Sequence, residues 1–306
     1  MIMYQNGSDG ATGGGIMTKS KVKIGDIVAR RSYRADVLFH VIGREEGQYL
    51  LRGLNLRLIA DAPEHDLIVI SKTEVEKNRN QFFRSTLESL KEVFLERVVG
   101  RSQLRSQEHD EPQYVELPGK VLHLDGDAEY LNLCLDYYRQ LGVPAEGYAI
   151  AEKDQPQRVE ALVRDIGPDL LVLTGHDAIF KGKRPGNMKS YRHSAHFVEA
   201  VERARRVDGN KDNLVIFAGA CQSYFEALME AGANYASSPE RVFIHPFDPL
   251  FIMEKVAYTP MAKIVSPKEV LANSVVGISG IGGIQTRGKL RLGLPKTAAW
   301  QGGRVK

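Results

Sequence analysis

Two short strings in this 306-residue chain hold the residue types needed for acyl transfer. Leu170–Thr174 is a continuous apolar run followed by Gly175-His176-Asp177, and Leu214–Ala218 is another followed by Gly219-Ala220-Cys221-Gln222-Ser223. A thiol works as a nucleophile when a base stands within reach and backbone N–H groups face the oxyanion forming on the attacked carbonyl. His176 and Cys221 are separated by enough chain for a crossover helix and a return strand. If the two runs are neighbouring parallel strands about 4.8 Å apart, imidazole and thiol project into one crevice at the carboxyl edge of the sheet. Open α/β sheets collect their ligands there. Gly219 and Ala220 let the backbone approach a substrate closely, and a helix starting at the cysteine would favour thiolate. Taken singly, a cysteine after an apolar strand is commonly a small buried hydrophobe and a strand-terminal histidine a hydrogen-bonded fixture. The joint pattern is what points to a nucleophile and its base.

The surrounding rhythm predicts the elements that must hold this pair. From Pro118 the chain alternates strands and helices. Strands are expected at Val121–Leu124, Tyr148–Ala151, Leu170–Thr174, Leu214–Ala218 and Asn234–Ser237. Helices are expected at Ala128–Leu141, Arg158–Ile166, Ser194–Val207 and Gln222–Ala231. Such alternation predicts an α/β domain over residues 114–295, with a doubly wound, mostly parallel sheet. Residues 21–70 instead carry short alternating apolar runs broken by turn residues such as Gly25-Asp26 and Gly43, which predict a small SH3-like β-barrel. Between them, Phe82, Phe83, Leu87, Leu90, Val93, Phe94 and Val98 recur at helical spacing. That predicts an amphipathic helix with a polar linker from Arg101, together spanning 71–113. Residues 1–20 and 296–306 read as flexible tails.

Composition narrows the classes. Forty-one Lys and Arg against thirty-eight Asp and Glu give a net charge of +3, too mild a balance to indicate nucleic acid or an anionic membrane surface. No apolar run approaches the ~20 residues that span a bilayer, and Met1–Ser20 lacks the apolar stretch of a secretory leader. Two cysteines cannot form a disulfide framework. Cys134, between Leu131, Leu135 and Tyr138, reads as core packing. His193 and His196 could supply half a metal site, but without a third ligand nearby they read as exposed or capping residues. No metal and no cofactor is expected. Gly277-Ile278-Ser279-Gly280-Ile281-Gly282-Gly283 lacks the strand–loop–helix context of a phosphate loop and reads as a surface loop or cleft wall.

Four apolar residues then His, and some way on four apolar residues then Ala-Cys, resembles the caspase–clostripain–separase group of cysteine peptidases. Longer blocks are similar to YabG-type sporulation peptidases: Gly25–Arg30, Pro118–Asp127, Thr174–Ala178, Tyr191–Ser194, Phe217–Ser223, Ala231–Pro239 and Gly282–Gly288. The likeness covers about residues 22–295. It implies a caspase-like fold and a cysteine endopeptidase acting in the mother cell of a sporulating bacterium on spore coat and germination-apparatus precursors, with cleavage after Arg. By position, His176 would be the base and Cys221 the nucleophile, with the backbone N–H groups of Cys221 and Asp177 as oxyanion donors. Caspase-like enzymes carry Gly directly after the histidine. Here Asp177 stands there, and its carboxylate could orient His176. An Arg-preferring pocket needs a carboxylate at its base; in related folds it is lined from the first strand and from the strand after the cysteine. Asp125, Asp127 and Ser237 are the candidates, Asp127 equally suiting an N-cap. Asp248 is a weaker candidate, explained by a turn or cap. Protein substrates are the expected partners, without nucleic acid or membrane. Two rival readings stay open. Leu122-His123-Leu124-Asp125-Gly126-Asp127 mimics the acidic motif of a Mg²⁺-dependent haloacid-dehalogenase-type phosphohydrolase, and the N-terminal barrel could belong to a non-catalytic coat-assembly protein.

Overall fold

The computed structural model describes residues 21–105, 115–272, 274–275 and 277–293. Both tails and the later part of the expected linker lie outside them. The N-terminal module is a five-stranded antiparallel sheet of β1 (Ile27–Arg30), β2 (Leu38–Glu45), β3 (Gln48–Gly53), β4 (Ile59–Ala62) and β5 (Leu67–Val69), ordered β4-β3-β2-β1-β5. Period-two alternation sets its buried face: in β3, Tyr49 and Leu51 point inward with Phe39, Val41 and Val28 from neighbouring strands. Glu46 and Gly47 close the β2–β3 hairpin with positive φ of 47° and 80°, the hand that matches the twist of paired strands. The β3–β4 connection runs from Leu54 to Leu58 and is drawn tight by the Gly53 N–H donating to Leu58 O at 2.8 Å. This connection reaches the site described below.

Helix α1 (Lys72–Arg105) is longer than the apolar spacing predicts, and Arg101–Arg105, expected as linker, still lies in it. Phe82 stacks on His245 at 4.9 Å and meets Phe247 at 6.0 Å, fastening α1 to the α/β part.

The α/β part continues through β6 (Val115–Leu117), β7 (Val121–Asp125), α2 (Ala128–Gln140), β8 (Ala145–Ala149), α3 (Gln155–Ile166), β9 (Leu170–Thr174), α4 (Ser194–Val207), β10 (Val215–Ala218), α5 (Phe225–Ala231), β11 (Tyr235–Ser237) and α6 (Asp248–Tyr258). It ends with β12 (Ile264–Val265), α7 (Pro267–Leu271), α8 (Gly277–Gly280), β13 (Ile281–Gly283), β14 (Thr286–Arg287) and β15 (Arg291–Gly293). The main sheet is ordered β13-β11-β10-β9-β7-β8, parallel except for β13. Its central strands β9 and β10 are apolar on both faces because both are covered. Leu122, Leu124, Leu171, Leu173 and Ile216 pack with Val159, Leu162, Phe197 and Val201 of α3 and α4. Val121, Val172, Val215 and Phe217 share a core with Tyr138 of α2, Phe251 of α6 and the N-terminal sheet. By the same alternation His123 and Asp125 share the face of Val121, turned toward the N-terminal module.

Four expectations shift. Helix α3 starts at Gln155 rather than Arg158. Strand β8 starts at Ala145 rather than near Tyr148; an edge strand reading Ala-Glu-Gly-Tyr-Ala carries no apolar run to mark it. Helix α5 starts at Phe225, not Gln222, so Cys221 sits in a turn four residues before it. The stretch Gly277–Gly283 is a short helix and an edge strand paired to β11 rather than a surface loop.

Candidate active site

Strands β9 and β10 are adjacent and parallel, with Leu173 opposite Ala218. Their ends are tied together: Thr174 Oγ1 donates to Gly219 O at 2.9 Å. The turns beyond are joined by the buried Asp177 carboxylate. Its Oδ2 accepts from Ser223 Oγ at 2.9 Å and Ser194 Oγ at 2.5 Å, and its Oδ1 accepts from the N–H groups of Ala178 and His193, both at 2.8 Å. Burial raises the pKa of this group, and these donors work in the other direction. Asp177 therefore braces the two turns and does not orient the His176 ring through its carboxylate. With the turns so fixed, the N–H groups of Cys221 and Asp177 converge on one acceptor, the main-chain oxygen of Arg57, at 3.1 and 3.3 Å.

His176 is held by its main chain. Its N–H donates to Glu152 Oε1 at 2.7 Å, and its carbonyl accepts from His193 Nδ1 at 2.7 Å. The ring stacks beside Tyr130, with centroids 6.0 Å apart. Its Nε2 lies 3.6 Å from Asp127 Oδ2, and its Nδ1 is 4.0 Å from Glu152 Oε1. Nε2 is buried without a hydrogen bond. Glu152 fits because Gly126 and Gly175, at the ends of β7 and β9, have no side chains; a Cβ on either would run into its carboxylate. Burial lowers the His176 pKa to about 4.

Cys221 is buried, and its Sγ accepts from the Ile244 N–H at 3.3 Å. Burial pushes its pKa up to about 12. The thiolate expected from a helix start is thus not favoured in this form: the helix begins later, the cysteine N–H is already bonded, and water is excluded.

The three pocket candidates have separate surroundings. Arg57 Nη1 lies 2.9 Å from both carboxylate oxygens of Asp125, and Arg57 Nε and Nη2 donate to Pro246 O at 3.1 and 3.0 Å. Burial alone would raise the Asp125 pKa, but the Arg57 guanidinium and His123 bring it down to about 2. Asp127 caps α2, accepting from the N–H groups of Glu129 and Tyr130, and turns its other oxygen to Arg52 and His176. Ser237 Oγ donates to Ala220 O at 2.8 Å, behind the cysteine turn. Asp248 accepts from the N–H groups of His245 and Val275, as a turn residue. Cys134 is core, as its neighbours predict. Arg57, Glu152, Tyr130 and the 244–246 segment escape sequence reading. Gly126 and Gly175 are the sequence features that could have marked the space Glu152 fills between the strand ends.

Gly219 is required by the turn. Its φ of +105° suits glycine, and a Cβ there would strike Ser237 Oγ. Gly219→Ala is expected to cost about 1–3 kcal/mol through backbone strain, read as a lower denaturant midpoint than wild type.

Among the described residues, no helix is long and apolar enough to cross a membrane. No solved structure matches this chain. The family model for the YabG peptidase U57 matches residues 23–295. The sporulation-specific protease YabG of Bacillus subtilis (strain 168) is 45% identical over 289 residues, covering 89% of this chain and 98% of that protein. These matches leave no room for the phosphohydrolase reading, and the acidic pair it needed is otherwise engaged, Asp125 with Arg57 and Asp127 as a helix cap. The chain belongs to the YabG peptidase U57 family and is a peptidase.

Proposed function

We propose that this chain is a cysteine endopeptidase that cuts proteins after Arg, with Cys221 as nucleophile and His176 as base, and that its substrates are spore coat and germination-apparatus precursors in the mother cell. We read the α/β part as caspase-like and the N-terminal module as an SH3-like barrel. The observation that carries the reading is the convergence of the Cys221 and Asp177 N–H groups on a single carbonyl oxygen. Two donors from the two turns that hold the thiol and the imidazole make an oxyanion site. Asp125 is the residue we assign to the base of the arginine pocket. It lies on the face of β7 turned toward Arg57 and is the candidate that pairs a wholly buried guanidinium, whereas Asp127 meets the partly exposed Arg52 at 3.4 Å. The curated relative's name, a sporulation-specific protease, supports the setting.

The reaction follows from these roles. His176 takes the thiol proton, and Sγ attacks the carbonyl carbon of the substrate Arg. The negative oxygen of the tetrahedral intermediate rests on the two N–H groups. When the C–N bond breaks, His176 gives its proton to the leaving amine, and a thioester remains on Cys221. Water, deprotonated by His176, then attacks the thioester, releasing a product that ends in Arg and restoring the thiol.

The test is incubation with an Arg-containing coat precursor, with the cut sites read by mass spectrometry in the presence of iodoacetamide or a chelator. Cuts directly after Arg, abolished by the alkylator and indifferent to the chelator, are expected. Cleavage that survives alkylation but is lost to chelation would overturn the assignment.

A further inference from the structure

We propose that the β3–β4 connection is a built-in occupant of the active site: Arg57 sits as the enzyme's own P1 residue and holds the peptidase latent. The inference rests on the reading of Cys221, His176 and Asp125 given above and adds a regulator to it.

Two independent placements carry it. The first is the Arg57 carbonyl, whose oxygen receives the N–H groups of both Cys221 and Asp177. The second is the Arg57 side chain, wholly buried, with its guanidinium on Asp125 and on Pro246 O and its Cζ 5.1 Å over the Tyr130 ring. A buried arginine serving structure alone needs an acidic partner; nothing then requires its main-chain oxygen to fill the oxyanion donors as well. A bound peptide ending in Arg at the scissile bond would make both sets of contacts at once. The residues that follow behave as the leaving side of such a peptide. Leu58 bridges Asp177 in parallel register, and Ile59 N–H donates to Asp177 O at 3.3 Å.

The connection is also held in place on its own side. Strands β3 and β4 pair, with Arg52 opposite Ile59. Leu54 O accepts from Tyr130 Oη at 2.8 Å, Leu54 N–H donates to Leu38 O, and Asn55 Nδ2 donates to Asn78 Oδ1 of α1 at 2.5 Å. A hairpin tip fixed at both ends presents its arginine without further ordering cost, the logic of a preorganised ligand. Tethering also sets its strength. A short tether gives an effective concentration on the order of millimolar, so a substrate at micromolar levels loses the competition for the same carboxylate. Cys221 and His176 are both buried beside this tip, and burial disfavours the charged form of each.

The experiment compares the wild type with Arg57→Ala and Leu58→Asp. The second ejects the tip by placing a charge in its buried contact while leaving Arg57 and Asp125 able to be solvated. The first readout is the rate at which iodoacetamide modifies Cys221, followed by peptide mass. In the wild type we expect it at least a hundredfold slower than for a free cysteine at the same pH. Alkylation of wild-type Cys221 at the free-thiol rate would overturn the proposal whatever the variants do. The second readout is hydrolysis of a short Arg peptide by variants that still melt cooperatively. Faster alkylation and at least tenfold faster hydrolysis support the proposal, as does a new amino terminus at Leu58 in the wild type that is missing from Cys221→Ala. A folded variant with wild-type alkylation and hydrolysis overturns it. Faster alkylation without any hydrolysis would keep the occupant and sink the dyad. Cys221-dependent hydrolysis with unchanged alkylation would sink the occupant alone.

Discussion

Cys221→Ala and His176→Ala are each expected to lower kcat/KM for an Arg peptide by a factor of about 10³ or more, and the double variant is expected to fall no further than either single one. Residues that act as one chemical unit are non-additive in this way, because removing either stops the same step. Folding should survive both changes. Removing a buried thiol takes away one heavy atom, and the loss from a small cavity is about 1 kcal/mol. The His176 ring leaves no hydrogen bond behind at Nε2, which has none, and its main chain remains tied to Glu152 and His193. Cys134 supplies the control. It is as buried as Cys221 and likewise raised to about 12, so a thiol's burial alone does not distinguish the two. Cys134→Ala should leave the cleavage pattern and rate of folded protein close to wild type. An active Cys221→Ala, or two singles whose losses multiply in the double variant, would show that the two side chains do not work together.

How far the site could be read from sequence depended on whether its parts share a local pattern. The strands ending at Thr174 and Ala218 announce themselves as five-residue apolar runs, because a strand covered on both faces has no polar side. The residues after them, His176 and Cys221, could be assigned on the assumption that the runs are neighbours, and β9 and β10 are paired. Asp125 was one of three residues the sequence offered for the proposed pocket, since it ends the first strand of the same sheet. What sequence could not separate was the work of Asp125 from that of Asp127, two positions apart. Side-chain alternation sends Asp125 toward the N-terminal module, while Asp127 has already left the strand and caps α2. Arg57 was invisible for another reason. It lies in a hairpin connection of a different module, and only tertiary docking brings it 2.9 Å from a carboxylate 68 positions away. Glu152 shares that limitation, since no motif links it to His176, which it grips by the backbone. The thiolate expectation runs against burial, which raises the Cys221 pKa, and the helix whose dipole was to favour it starts three residues later than predicted.

Asp125→Asn separates the pocket assignment from every other role in the site. An amide keeps the shape and can still accept a hydrogen bond, but it withdraws the charge that a buried guanidinium needs. Loss of one partner from a buried, hydrogen-bonded charge pair costs about 2–5 kcal/mol, so kcat/KM for an Arg peptide should fall by about thirty- to several-thousand-fold. A citrulline peptide has the same shape without the charge and should be affected far less. The ratio of the two rates should therefore collapse toward one. The same change strips Arg57 of its partner. The folded protein should lose stability, and Cys221 should become easier to alkylate even as cleavage after Arg declines. Those opposite movements are what a shared pocket demands, because substrate and internal arginine depend on the same two oxygens. Asp127→Asn makes the comparison sharp: it weakens the cap of α2 and the contact with His176, slowing both peptides together. If instead Asp127→Asn erases the preference for Arg and Asp125→Asn leaves it standing, the pocket lies on the other side of Gly126.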